Sequence, residues 1–207
     1  MTDLHCDTGL VTVADVREFF REALHGALAG QHLRVRDHTE QYVVNLLAMF
    51  MRSEALFEPG PDGRAALRPL ARLLADALAC SDDERRYRIL QRLGDVALFV
   101  AGFLAQGFPR RLVDIDYHIA MGGRAYGALA HAPVRGPRRA LAVVFAELED
   151  KFQPLVDALN DIRDAAGQSE RDLLRLYEVW HRTGSTRARR LLLRAGVVPF
   201  PRGRLAH

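Results

Sequence analysis

Apolar residues recur at helical spacing along almost the whole chain, separated by short runs of proline, glycine and polar residues. In "VADVREFFREALHGALA", Val16, Phe19, Phe20, Ala23, Leu24, Ala27 and Leu28 fall on one stripe. Thr12 and Asp15 give this first helix a capping-box start, and Gly30 a stop. A second helix is predicted from Asp37, with Glu40 at its third position, through "YVVNLLAMFMRSEALF". "EPGPDG", residues 58–63, then breaks the pattern. Pro69 suits the first turn of a helix over "LARLLADALA". Ser81 and Glu84 form a capping box for a helix reaching about Gln106, with a bend expected at Gly94. A helix over "DYHIAMGGRAYGALAH" follows, with Asp114 or Asp116 as its cap, and "HAPVRGP" ends it. Pro154 is expected to kink or divide the long stretch from Arg138 to Gly167. Ser169 and Asp172 open another helix that Gly184 closes, and a short last one runs to Arg194.

These elements make an all-α protein of about seven to nine helices. No segment alternates with period 2 and β-branched residues, so no strand is expected. The breaks are short, which predicts one compact domain over 1–207, with 1–11 mobile and 196–207 an extended basic tail. Gly122, Gly123 and Gly127 lie inside a helix, where each costs about 1 kcal/mol against alanine. Ala97, Ala101 and Ala105 repeat every four residues in the preceding helix, near Gly94 and Gly102. Two such surfaces favour a close-packed central helical hairpin, with dispersion contact offsetting the propensity cost. The other reading is that bare backbone makes room for a flat ligand.

Composition changes this picture little. The 207 residues are 49% hydrophobic and 27% charged, with a net charge of +3, which is globular. Lys151 is the only lysine, so the basic residues are almost all arginine. The longest apolar run, "VALFVAGFLA", is about half of a membrane span. The N-terminal residues lack the basic and apolar regions of a signal peptide. Cys6 and Cys80 show neither metal spacing nor a disulfide framework, so a cytoplasmic setting is expected.

"VRDHTEQYVVNLL", "QRLGDVALFVAGF", "RRLVDIDYHIAMGGRAY" and "LLRLYEVWHRTGS", taken in order, resemble a family of soluble helical proteins from proteobacteria. The resemblance spans about residues 35–195. It implies a bacterial cytoplasmic helical protein and carries no activity, cofactor or catalytic residue with it.

Candidate chemistry is sparse. Glu178 and His181 have the i, i+3 spacing of bundle di-iron ligands, but a second E-x-x-H is missing. Asp114, Asp116 and His118 could cluster with His38 or Glu40, although i, i+2 residues do not share a helix face. Asp95, between Gly94 and an apolar run, requires a partner if buried; Arg124 or Tyr126 could supply it. Asn45 reads as an inter-helix hydrogen bond. No Walker A, dinucleotide fingerprint, H-E-x-x-H or G-x-S-x-G is present. No metal or cofactor is implied. From His181 onward the chain carries Arg182, Arg187, Arg189, Arg190, Arg194, Arg202 and Arg204 and no acid. That block is either a solvated face or a contact for an anionic partner.

Three functions follow as expectations. The first is a non-enzymatic interaction or regulatory protein acting through a protein partner or a homo-oligomer. The second is a small-molecule or metal-binding protein, with an enzyme not excluded, using Asp95, Tyr117, His118 and Arg124. The third is weak, sequence-independent nucleic-acid binding through Arg182, Arg187, Arg189, Arg190 and Arg194.

Overall fold

The computed structural model describes residues 13–51, 53–59, 65–104, 114–133, 138–165, 189–190 and 192–193. Expectations for the N-terminal segment, the helix opened by Ser169 and the C-terminal tail fall outside them, and of the expected last helix only Arg189, Arg190, Leu192 and Leu193 are described, all helical. The described chain is all-α. Seven helices have ten residues or more: α1 (Val13–Gly30), α2 (Asp37–Phe50), α4 (Leu70–Ala79), α5 (Asp83–Phe99), α6 (Ile115–Ala130), α7 (Arg138–Asp150) and α8 (Phe152–Ala165). A four-residue turn, α3 (Ser53–Leu56), lies between α2 and α4, and a π-helical turn, Val100–Leu104, extends α5.

Several boundaries correct the sequence reading. The second helix stops at Phe50 rather than Phe57. Beyond it Phe57–Pro59 pairs antiparallel with Ala65–Leu67, so a small strand pair occurs where none was expected. Three residues per strand are too few for alternation to register in the sequence. Asp82, not Ser81, caps α5: its side chain accepts from the Glu84 amide. Asp114 caps α6 as one of the two proposed caps, accepting from the Tyr117 amide. The long stretch after residue 138 divides at Lys151, with Pro154 in the first turn of α8, where a missing N–H costs nothing.

α5 and α6 form the most extensive helix pair, which is the expected central hairpin. They run antiparallel, since Tyr126 reaches Asp95 and Gly122 faces Ala97. The glycines act differently from the expectation. A Cβ on Gly94 would lie 2.6 Å from the Tyr126 ring, and one on Gly122 would overlap the Phe152 ring and approach Ala97 Cβ at 2.8 Å. Two aromatic rings therefore occupy the space that alanine would fill. Gly127 meets the Glu149 side chain, whereas Gly123 faces open space and has no part in the packing. α7 packs on α6, α8 packs chiefly on the π-helical turn and on α1, and α1 also lies on α2. Phe19, placed in the apolar stripe by its spacing, is 53% exposed.

Among the described residues no helix is long and apolar enough to cross a membrane.

Candidate functional site

Two carboxylates lie inside the bundle, and both are held by specific partners. Asp95 comes from the middle of α5 and is buried. Tyr42 from α2 and Tyr126 from α6 both donate to its Oδ1, at 2.7 and 2.8 Å. Gln91, one turn earlier on α5, donates to the Tyr42 hydroxyl at 3.0 Å. Burial pushes the Asp95 carboxyl up to about 6, even though both tyrosines and the nearby Arg92 charge pull it down. Arg92 makes no bond to Asp95. Its Nη2 donates to the Leu56 carbonyl at 3.0 Å, and its guanidinium covers the Phe50 ring. Burial and the neighbouring carboxylate raise Tyr42 and Tyr126 above the ordinary tyrosine range.

The aromatic surroundings fix this geometry. Phe145 of α7 stacks on Tyr126 with centroids 5.5 Å apart. It also meets the rings of Tyr42 and Tyr87 edge to face. Tyr87, Gln91 and Asp95 stand at i, i+4 and i+8 and so line one face of α5. The Tyr87 hydroxyl is the one fully buried side-chain nitrogen or oxygen without a hydrogen-bond partner among the described residues. Burial raises its pKa.

Glu147 of α7 is the second carboxylate. It accepts from Thr39 Oγ1 at 2.6 Å, from the Arg36 amide at 3.2 Å and from Lys151 Nζ at 2.7 Å. Burial alone would raise its pKa, but Lys151, Thr39 and the Arg36 amide together hold it below the ordinary glutamate range. Arg36 is the N-cap residue of α2 and offers no side-chain cap of its own. A carboxylate more than 100 positions away therefore caps α2 from outside, together with the chain's only lysine. The sequence assigned that role to Glu40, which instead faces His25 at 3.4 Å.

The sequence-derived site does not assemble around Asp95. Of its two proposed partners Tyr126 binds it, while Arg124 is exposed and makes no bond to it. Tyr117 and His118 lie near the start of α6, eight or nine residues from Tyr126 and so about 12 Å along the helix. His118 is buried, with Nδ1 2.8 Å from the Asp114 carbonyl oxygen, and Tyr117 is 38% exposed. His38 is exposed. No group of three or more His, Cys, Asp or Glu side chains could hold a metal among the described residues. Asn45 is exposed and accepts only from Gln41 on its own helix, so it joins no two helices. Of the C-terminal arginines, Arg189 and Arg190 are exposed; Arg182, Arg187 and Arg194 lie outside the described residues, as do Glu178 and His181.

Sequence reasoning missed Tyr42, Gln91, Thr39 and Lys151. The i, i+4, i+8 spacing of Tyr87, Gln91 and Asp95 was a visible signal for the first cluster.

One end of the bundle has a different character. The first half of α1, the end of α2, the end of α5 and the π-helical turn meet there, because Phe20 packs on Phe103, Phe50 on Phe99 and Phe99 on Phe103, and α6 also packs on the turn. Phe19, Met49, Ile115 and Tyr117 belong to that end and are all exposed. No known protein family matches the chain, and neither a curated protein nor a solved structure does.

Proposed function

We propose that this is a non-enzymatic bacterial cytoplasmic protein that acts by binding a protein partner or a second copy of itself. The observation that supports it is the exposure of Phe19, Met49, Ile115 and Tyr117, on three helices that come together at the Phe20–Phe103–Phe99–Phe50 end of the bundle. Scattered exposed apolar residues are ordinary, but several at one end of a bundle offer a surface whose burial is favourable. A ligand-binding reading centred on Asp95 has less support, because Asp95 is buried while Tyr117 and His118 lie two turns or more along α6 from Tyr126 and Arg124 is exposed.

The test is sedimentation velocity of the full chain over a wide concentration range, beside a Phe19→Glu, Tyr117→Glu variant. The melting temperature of the variant is measured beside that of the wild type, so that a lost association is separated from a lost fold. The expected result is association of the wild type, with itself or with a co-purifying protein, that the variant loses. A strictly monomeric wild type whose co-purifying proteins match those of the variant would refute the reading.

A further inference from the structure

Asp95 is distinguished from Glu147, the other buried acid of the described residues, by what does not neutralise it. It is more than nine-tenths buried, yet no cation bonds to it. Both of its donors are neutral hydroxyls, both bind the same oxygen, and Oδ2 takes no hydrogen bond from either. A buried carboxylate that lacks a paired cation and takes its protein hydrogen bonds on one oxygen only gains from taking up a proton on the other. The neutral acid keeps both tyrosine bonds on Oδ1 and carries its proton on Oδ2.

We propose that Asp95, Tyr42 and Tyr126 form a proton-responsive joint, in which one proton taken up at Asp95 Oδ2 changes how firmly α2 and α6 are tied to α5. In the ionised joint the two hydroxyl bonds are charge-assisted; in the protonated joint they are neutral bonds of roughly half the strength, and the cost of burying a charge is gone. The surrounding groups leave Asp95 as the site of the change. From α2 the titratable group facing it is Tyr42, and from α6 it is Tyr126. α7 presents the Phe145 ring to those tyrosines, and its Glu147 is held by Thr39 and Lys151. On α5 itself, Arg92 is drawn to the Leu56 carbonyl, and Tyr87 lies two turns away. Both tyrosines are pushed up, away from neutral pH, so neither supplies the proton. Burial pushes the Asp95 carboxyl up to about 6, above its value in an unfolded chain. The folded protein therefore binds the proton more tightly, and acidification through that point stabilises it.

The experiment is carboxyl carbon-13 NMR of the full, aspartate-labelled chain across pH 4 to 8, with thermal melts at each pH. The expected result is an Asp95 resonance titrating near pH 6, with the phenol carbons of Tyr42 and Tyr126 shifting at the same midpoint. Tyr126→Phe removes one donor to the charged form and raises the midpoint. Asp95→Asn, which keeps the acceptor, removes the rise of melting temperature between pH 7 and 5. An Asp95 resonance titrating at or below 4, or tyrosine carbons that do not follow it, overturns the proposal. The wild-type titration decides the matter even where a variant fails to fold.

Discussion

Replacing Glu147 by alanine should cost about 3–5 kcal/mol, the range for removing one partner of a buried, hydrogen-bonded charge. The parts of that figure are visible. Thr39 is fully buried, and without Glu147 its hydroxyl loses its 2.6 Å acceptor. An orphaned buried hydroxyl costs about 1–3 kcal/mol. The Arg36 amide loses its acceptor at the start of α2, which is comparable to losing an N-cap, about 1 kcal/mol. Lys151 is the smallest part: it is partly exposed and keeps the Arg34 carbonyl at 2.6 Å. Lys151→Ala leaves the Glu147 carboxylate with the Thr39 hydroxyl and the Arg36 amide and should cost less than Glu147→Ala. Glu147→Gln should fall between the two, because its amide turns a donor toward other donors. Guanidinium unfolding followed by far-UV circular dichroism gives each value as a midpoint shift at unchanged slope. If Glu147→Ala stayed within about 1 kcal/mol of wild type, or Lys151→Ala cost as much as Glu147→Ala, capping from outside would not be what holds α2.

The two internal carboxylates should respond to pH with opposite sign. Glu147 stabilises above the ordinary glutamate value and loses this as pH falls through its lowered folded value; Asp95 costs up to about 3 kcal/mol above about pH 6 and is relieved as pH falls from there toward 4. Melting temperature in wild type should then peak between about pH 4 and 6, with the alkaline limb flattened in Asp95→Asn. Gly122→Ala should destabilise by about 1–3 kcal/mol because the buried Phe152 ring has to move, whereas Gly123→Ala should stabilise by up to about 1 kcal/mol because its site is open. Denaturant midpoints of these two neighbours give the comparison, and equal effects would contradict the ring-insertion account. Tyr87→Phe should be neutral or slightly stabilising by the same measurement, since it removes a hydroxyl that has no partner.

The helices were legible because their signal is local. The stripe from Val16 to Leu28, the break at residues 58–63 and Pro154 each act on neighbours a few positions away. The caps were half legible: Asp114 stood out, but Asp82 and Ser81 are both good caps, and the chain's path into α5 selects between them. What could not be read was pairing across the fold. Thr39 and Glu147 are 108 residues apart, and Tyr42 and Asp95 are 53 apart. Nothing in either local pattern says which helix will face it. Gly122 and Gly123 make the same point at a single step: adjacent residues about 100° apart on a helix, one under a phenyl ring and one facing open space.

Lys151 has a consequence for how the molecule meets electrophiles. It holds the only side-chain ε-amine in the chain, and in the fold that amine is committed to Glu147 and the Arg34 carbonyl. A protonated amine donating to two acceptors is a poor nucleophile. Acylating reagents and aldehydes, which ordinarily modify a protein of this size at many lysines, find here one side chain whose reactivity depends on the α2–α7 junction remaining closed. Acylation at residue 151 thus becomes an intrinsic gauge of that junction, with no label to be introduced.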